Sequence, residues 1–174
     1  MHMTEQRAMT IDTPRLSLHP MGEADGDAMI ALLTDKIVTK TYMVPDFASR
    51  DEAYRLFDRI RVLSNTKDRF VYGIYDASGL VGMINAVDDD GEQIELGFAL
   101  HPSVHNRGYA TEALTASMVE LFRLGYKAVR AGAFPENAAS LRVMEKCGMT
   151  RLEETERVTY RGCTYDCIMY ERRA

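Results

Sequence analysis

The fold is decided by residues 105–114, which read HNRGYATEAL and join a β-strand to an α-helix through a glycine-containing loop. The first turn of such a helix has unpaired backbone N–H groups, and the positive end of the helix dipole lies beside them. Gly108 lets the backbone approach a ligand closely, and the small Ala110 leaves room for it. The stretch therefore predicts an anion site suited to phosphate or pyrophosphate, although a plain turn into a helix would also explain a single glycine.

On both sides of this loop the sequence alternates between the period of a strand and the period of a helix. Three runs of period two, separated by short turns, predict an antiparallel meander at 70–75, 80–87 and 93–100. Before the meander we expect a strand at 16–19, a helix at 22–34, an irregular loop at 36–47 and a helix that the capping box at 49–52 opens. After the glycine loop we expect a helix at 109–124, a strand at 127–134, a helix at 138–147 and a hairpin of strands at 151–160 and 163–171.

The predicted order β-α-α-β-β-β-α-β-α-β-β is that of one α/β (α+β) domain, in which a mixed sheet carries helices on both faces. The 174 residues are enough for one such domain with a sizeable core. We assign residues 13–174 to this domain and expect residues 1–12 to be a flexible N-terminus that lacks the apolar centre of a secretory signal. No stretch has about 18 apolar residues in succession, so we expect no membrane span.

The composition argues against several kinds of function. With 21 Lys and Arg against 26 Asp and Glu, the net charge is −5, which disfavours a broadly basic protein that binds nucleic acid. Cys147, Cys163 and Cys167 do not suit a disulfide framework or a zinc site, and we expect reduced, at least half-buried thiols in a cytoplasmic protein. His101 and His105 lack an acidic third ligand, so we expect no metal.

Two motifs and their spacing resemble the GNAT superfamily of acyl-CoA N-acyltransferases. The first runs from His101-Pro102 to Ala113, and the second is NAASLRVMEKCGM at 137–149. With TPRL at 13–16 and the closing hairpin, the similarity covers nearly the whole chain and is greatest to the RimJ/RimL-type branch, the ribosomal-protein N-terminal acetyltransferases. The resemblance implies a GNAT fold and an acetyl-CoA-dependent N-acetyltransferase. Its acceptor would be a primary amine, such as a protein N-terminus, that attacks directly in a ternary complex.

The resemblance also implies which residues hold acetyl-CoA. The pyrophosphate would be bound mainly by backbone amides of the glycine loop, namely Arg107, Gly108, Tyr109, Ala110 and Thr111. His105 stands where the family has Gln or Arg, which weakens the side-chain part of this site. Pantetheine would run beside the backbone of Phe98, Ala99 and Leu100, where Gly97 would mark a β-bulge that opens the sheet. Asn137 would contact the pantetheine arm, although a helix N-cap alone explains this residue.

Glu95 and Ser140 are the candidates for catalysis. An amine must be neutral to attack a thioester, and the family often places a base on the strand that carries Glu95. A solvent-facing or Arg-paired carboxylate is the simpler explanation of this residue. Many members use a tyrosine for the leaving thiolate, but Met144 stands near that place, so Ser140 would hydrogen-bond the sulfur instead. A first-turn serine bonded to its own helix is the structural alternative.

Two other functions remain open. The acceptor could be a small amine or an antibiotic, or the chain could bind coenzyme A without catalysis, which the departures at His105 and Met144 allow. We expect the acceptor to lie beside the first two helices and the loop at 36–47. Some members of the branch form dimers, so a homodimer is compatible with the resemblance.

Overall fold

One eight-stranded sheet organises the part of the chain that the computed structural model describes, residues 6–174. The strands are β1 (Ile11–Asp12), β2 (Ser17–His19), β3 (Val71–Asp76), β4 (Gly79–Asp89), β5 (Gln93–Leu100), β6 (Ala128–Ala133), β7 (Thr150–Tyr160) and β8 (Cys163–Arg173). The α-helices are α1 (Gly26–Thr34), α2 (Lys36–Thr39), α3 (Arg50–Ser64), α4 (Tyr109–Arg123) and α5 (Ala138–Lys146). The predicted mixed α/β order is confirmed, and the short elements β1 and α2 are added to it.

The middle of the sheet contains an opening. The strand order is β1-β2-β3-β4-β5-β6-β8-β7, and each neighbouring pair is antiparallel except β5 and β6. The parallel register of β5 and β6 ends at Glu95 and Arg130. Beyond this point β5 stays paired with β4 as far as Leu100, whereas β6 stays paired with β8 as far as Ala133. The two strands therefore part, and we call the space between residues 96–100 and 131–133 the wedge.

An extra residue in β4 lies beside the point where β5 and β6 part. Ala86 pairs with Leu96 and Asp88 pairs with Glu95, so Val87 is left over as a β-bulge, which increases the local twist. The expectation of a bulge at Gly97 is wrong, because β5 runs through Gly97 in continuous register. A Cβ atom on Gly97 would lie 3.0 Å from Val87 Cγ2, so the glycine accommodates the bulge on the neighbouring strand.

Helices cover both faces of the sheet, as predicted. The core under α4 and α5 includes Ile94 and Leu96 of β5, and the core under α1 and α3 includes Ala99 of the same strand. Because side chains alternate along a strand, Glu95 and Gly97 share the α1–α3 face with Ala99. A smaller apolar cluster around Phe134 packs against the β7–β8 hairpin.

Side-chain caps determine where three of the helices begin. Ser49 accepts a hydrogen bond from the Glu52 N–H at the start of α3, as the capping box predicts, and Asn137 caps α5. Asp35 Oδ1 accepts hydrogen bonds from Ile37 N (2.8 Å) and Val38 N (3.1 Å). This cap starts α2 inside the segment that the sequence predicts to be irregular, and residues 40–47 of that segment are without helix or strand.

The domain begins earlier than predicted. Residues 1–5 of the expected flexible segment lie outside the described residues, but residues 6–12 contact the domain. Arg7 is only 5% exposed, because its side chain donates to the Ser64 carbonyl and its guanidinium lies 4.4 Å from the centre of the Tyr72 ring. The Ala8 N–H also donates to Glu120 Oε1 (2.6 Å).

Two further expectations concern the thiols and the membrane. Cys147 and Cys167 are buried as expected, but Cys163 is exposed because it directly follows the hairpin turn at Arg161 and Gly162. Between residues 6 and 174, no helix has both the length and the apolar character needed to cross a bilayer.

Candidate functional site

The wedge offers one edge of β5 to a ligand. Residues 96–100 are paired with β4 on one side, and on the other side the register with β6 has already ended. Such an edge presents N–H and C=O groups to which an extended molecule can hydrogen-bond like an added strand. Backbone groups of successive residues face alternate edges of a strand, and the Ala99 carbonyl lies against Gly82 of β4, so the groups of Phe98 face the free edge and the expectation for Ala99 is wrong. The carbonyl of Leu100 already accepts a hydrogen bond from His105 Nε2 (2.8 Å), so His105 holds the following loop against the end of the strand.

The predicted anion site is the N-terminus of α4. Asn106 and Gly108 have φ angles of 61° and 79°, so the backbone turns sharply just before the helix. The first helical hydrogen bond runs from the Glu112 N–H to the Gly108 carbonyl (3.0 Å), which leaves the N–H groups of residues 109–111 without helical acceptors. Gly108 has no side chain that could cap them. These amides and the helix dipole therefore suit a phosphate or pyrophosphate.

A carboxylate in the first turn of α4 connects this loop to the N-terminal part of the domain. Glu112 Oε1 accepts hydrogen bonds from Thr13 Oγ1 (2.6 Å) and Arg15 N (2.9 Å), and Glu112 Oε2 accepts one from Arg15 Nε (2.8 Å). Arg15 Nη1 also donates to the Arg107 carbonyl (2.7 Å). Partial burial raises the pKa of Glu112, but these hydrogen bonds outweigh burial and bring the pKa below its ordinary value. No local sequence pattern predicts this contact, because its residues lie far apart along the chain.

Asn137 and Ser140 lie together where α5 follows β6. Asn137 Oδ1 accepts from the Ser140 N–H (3.2 Å), and Asn137 Nδ2 donates to Ser140 Oγ (3.0 Å). The N-cap explanation of Asn137 is correct, and its side chain also orients the serine. Because Ser140 Oγ accepts this hydrogen bond, its own proton is free to be donated elsewhere. Met144 is fully buried in the core under α4 and α5, where it serves packing.

Glu95 occupies the last paired position of β5, at the closed end of the wedge. Its side chain is half-buried in a cleft of about 500 Å³, whose charged lining residues are Asp88, Asp90, Glu95, Arg130, Glu154 and Glu156. Burial first, and then the carboxylates of Glu156 and Asp88, raise the pKa of Glu95 to about 7, although Arg130 opposes the rise. Arg130 forms its ion pair with Glu171 (2.8 Å) instead. A carboxyl group with this pKa can exchange a proton near neutral pH, as a general base must.

The candidate residues lie at separate points around the wedge. Phe98 lies on one of its edges, residues 107–111 follow the end of β5, and the Asn137–Ser140 pair follows the end of β6. Glu95 lies at the opposite, closed end, and no hydrogen bond within residues 6–174 joins it to Ser140. Its side chain is on the α1–α3 face, whereas α4 packs on the other face. A bound anion and the candidate base would therefore reach the wedge from opposite faces of the sheet.

The two histidines of the predicted loop support the backbone. His101 Nδ1 accepts a hydrogen bond from the Ser103 N–H (3.2 Å), and His105 binds the Leu100 carbonyl as described above. Across the part of the chain that the structure describes, no three His, Cys, Asp or Glu side chains come together as a metal-binding group.

Comparisons of sequence place these features in a family. The profile of the acetyltransferase (GNAT) domain matches residues 15–150. The uncharacterized N-acetyltransferase YnaD of Bacillus subtilis is 30% identical, over 82% of this chain and 84% of its own. The uncharacterized N-acetyltransferase YoaA of the same organism is 26% identical, over 92% of this chain and 94% of its own.

Solved structures share the fold. An acetyltransferase of the GNAT family from Bacillus anthracis superposes with a TM-score of 0.81 at 24% identity, over 95% of this chain and 98% of its own. The ribosomal L7/L12 α-N-protein acetyltransferase RimL, in complex with coenzyme A, gives a TM-score of 0.78 at 19% identity, over 97% of this chain and 98% of its own. The acetyltransferase from Salmonella typhimurium that modifies the N-terminal serine of L7/L12 gives a TM-score of 0.80 at 18% identity, over 95% of this chain and 99% of its own.

The electrostatics of the cleft can be tested by removing one neighbouring charge. We expect Glu156→Gln to lower the pKa of Glu95 measurably from about 7, because a negative charge that disfavours ionisation is removed. The pKa is measured by carbon NMR titration of the labelled Glu95 carboxyl group. Glu153→Gln is the control, since Glu153 is exposed on the same strand and does not line the cleft. An unchanged Glu95 pKa in the Glu156→Gln variant would contradict this account.

Proposed function

The chain belongs to the acetyltransferase (GNAT) family and is an N-acetyltransferase, and from this premise we propose that it acetylates a protein N-terminal amine by direct attack on acetyl-CoA in a ternary complex. The observation that carries the proposal is the wedge. An anion site lies beyond the end of β5, a free strand edge runs beside the opening, and a carboxyl group with a raised pKa lies at its closed end.

The residues around the wedge suit the parts of acetyl-CoA. The amides at the start of α4, from Arg107 to Thr111, would bind the pyrophosphate, and the exposed Arg107 side chain would add a positive charge. The backbone groups of Phe98, on the free edge, would hydrogen-bond the amide groups of pantetheine as a strand does. Asn137 would contact the same arm while capping α5. The thioester would then lie between the two parted strands.

The chemistry needs a proton acceptor on one side and a proton donor on the other. In the proposed reaction the Glu95 carboxylate takes a proton from the ammonium group, directly or through water, and the neutral amine attacks the thioester carbonyl. Backbone N–H groups of the free β5 edge stabilise the oxyanion. The C–S bond then breaks, and the Ser140 hydroxyl hydrogen-bonds the departing thiolate. The nitrogen gives its second proton to water, the thiolate takes a proton from water to become coenzyme A, and Glu95 releases its proton to solvent. The products are an N-acetyl amide and coenzyme A.

The pKa of Glu95 favours an N-terminal amine over a lysine. A protein N-terminus has a pKa of about 7.7–8.0, whereas a lysine has a pKa of about 10.4. Because the pKa of Glu95 is about 7, proton transfer to it from an N-terminus is uphill by about one pKa unit. Proton transfer from a lysine is uphill by more than three pKa units. RimL and the Salmonella acetyltransferase, which share the fold, act on the N-terminus of a ribosomal protein.

The acceptor class is tested by a panel of amines. We expect purified protein and acetyl-CoA to release free thiol with peptides that carry a free N-terminal serine or alanine, and much more slowly with N-blocked lysine peptides, polyamines and aminoglycosides. Thiol titration measures the rate, and mass spectrometry locates the acetyl group. Preference for a small amine would replace the protein acceptor. Thermal stabilisation by acetyl-CoA without any thiol release would instead identify a binding protein without catalysis.

The phosphate site is tested at Gly108. We expect Gly108→Asp to weaken acetyl-CoA binding by at least about 100-fold, because its carboxylate would lie at the helix N-terminus where the pyrophosphate should bind. Calorimetry measures the dissociation constant. Gly108→Asn is the matched control, because asparagine has a similar size, tolerates the positive φ and is uncharged, so we expect a much smaller loss. Equal affinities of parent and Gly108→Asp would refute the assignment of this site.

The base is tested at Glu95. We expect Glu95→Gln to lower kcat by about 100-fold or more while the dissociation constant of acetyl-CoA stays the same. Because only the ionised carboxyl accepts a proton, kcat/KM for the amine should fall in the parent as the pH drops below about 7, and the variant should lose this inflection. The measurement is the pH profile of kcat/KM over roughly 3 pH units around this value, the range over which a single group titrates. A variant with the parental rate removes Glu95 as the base.

A further inference from the structure

The tip of the β7–β8 hairpin holds the loop that connects α2 to α3. Tyr160, the last residue of β7, donates its hydroxyl proton to the Thr39 carbonyl (2.6 Å), and its oxygen accepts a hydrogen bond from the Val44 N–H (3.5 Å). An ion pair between Arg161 and Asp46 (2.9 Å) adds a second, more exposed contact between the same two segments. One phenol hydroxyl therefore joins both ends of residues 39–44.

The ring of Tyr160 packs near the end of β6. Its centre is 6.1 Å from that of Phe134, which directly follows β6 and precedes the Asn137 cap of α5 by three residues. Phe134 also stacks on Tyr165 of the same hairpin, at 4.1 Å between ring centres. The ring of Tyr160 thus contacts the support of the Asn137–Ser140 pair, while its hydroxyl contacts the distant loop.

The loop that Tyr160 holds carries Tyr42 to the sheet next to Glu95. Tyr42 Oη donates to Asn85 Oδ1 (2.8 Å), and Asn85 is the register partner of Gly97. A Cβ atom on Gly97 would be 3.7 Å from Tyr42 Cε2, so the tyrosine ring lies against the bare backbone at that position. Gly97 and Glu95 are two residues apart on the same face, about 7 Å along the strand. Tyr42 therefore packs on β5 at the next position on the same face as the candidate base.

From these contacts we propose that Tyr160 is a positioning residue for the amine acceptor. The inference rests on the proposed function. The Tyr160 hydroxyl fixes the backbone of residues 39–44, and this backbone sets the distance of Tyr42 from Gly97 and hence the width of the route by which an amine reaches Glu95. Within residues 6–174, every hydrogen bond between the main chain of residues 39–44 and the β7–β8 hairpin is made by the Tyr160 hydroxyl. Loss of the hydroxyl should therefore affect the amine and leave acetyl-CoA bound as before.

The test removes the hydroxyl and keeps the ring. With the best amine of the panel above, we expect Tyr160→Phe to raise KM for the amine about fivefold, as for one lost neutral hydrogen bond, with the dissociation constant of acetyl-CoA unchanged. The Val44 amide should exchange its hydrogen faster in this variant. Tyr165→Phe is the matched control, because the Tyr165 ring also packs on Phe134 but, within residues 6–174, its hydroxyl makes no hydrogen bond to residues 39–46.

A double-mutant cycle separates positioning from general stabilisation. If Tyr160 acts through Tyr42, the KM of the Tyr42→Phe/Tyr160→Phe variant should be clearly lower than the product of the two single effects predicts. Three results would each overturn the proposal. The first is a double variant whose KM equals the product of the two single effects, and the second is an unchanged KM in Tyr160→Phe. The third is a parallel loss of amine and acetyl-CoA binding together with a lower melting temperature. A parent protein that acetylates no amine of the panel would refute the proposed function itself, which is a different result.

Discussion

The parting of β5 from β6 is the constraint on which the rest of the site depends. While two strands are paired, their backbone groups satisfy one another and are closed to a ligand. After Glu95 and Arg130 each strand keeps only its outer partner, so the edge of β5 becomes available. The bulge at Val87 twists β4 and β5 at this same level, and the loops that follow the two strands bring the N-termini of α4 and α5 to the open end.

The sheet also separates the charges that the chemistry needs. The start of α4, with Arg107 beside it, would attract an anion, whereas all the charged residues that line the cleft on the opposite face are carboxylates except Arg130. Placing an acid among other acids, partly out of water, makes its ionised form less favourable. Glu95 is thereby able to hold and release a proton near neutral pH. These carboxylates would also repel the pyrophosphate of acetyl-CoA, so the cofactor and the amine would reach the wedge from different faces of the sheet.

Several contacts that support the site join segments far apart in the chain. Glu112 binds Thr13 and Arg15, Arg7 is buried against Tyr72, and Tyr160 reaches Thr39. Arg7 and Thr39 are buried, so breaking their contacts would leave polar groups without partners away from water, whereas Arg15 is more exposed. This explains why the N-terminal segment, expected to be flexible, is part of the domain from residue 6 onwards within the described residues.

The sequence by itself determined the order of the elements and the mixed sheet, and it predicted the anion site, because periodicity, caps and a glycine before a helix are local properties that neighbouring residues set. It also identified Glu95, Asn137 and Ser140 as candidates. Only the tertiary structure decided that the bulge belongs to Val87 and not to Gly97, that Glu156 and Asp88 lie near Glu95, and that Tyr160 binds the loop that carries Tyr42 to Asn85. Strand register, burial and charge proximity arise between residues distant in sequence, and they exist only once the sheet has been assembled.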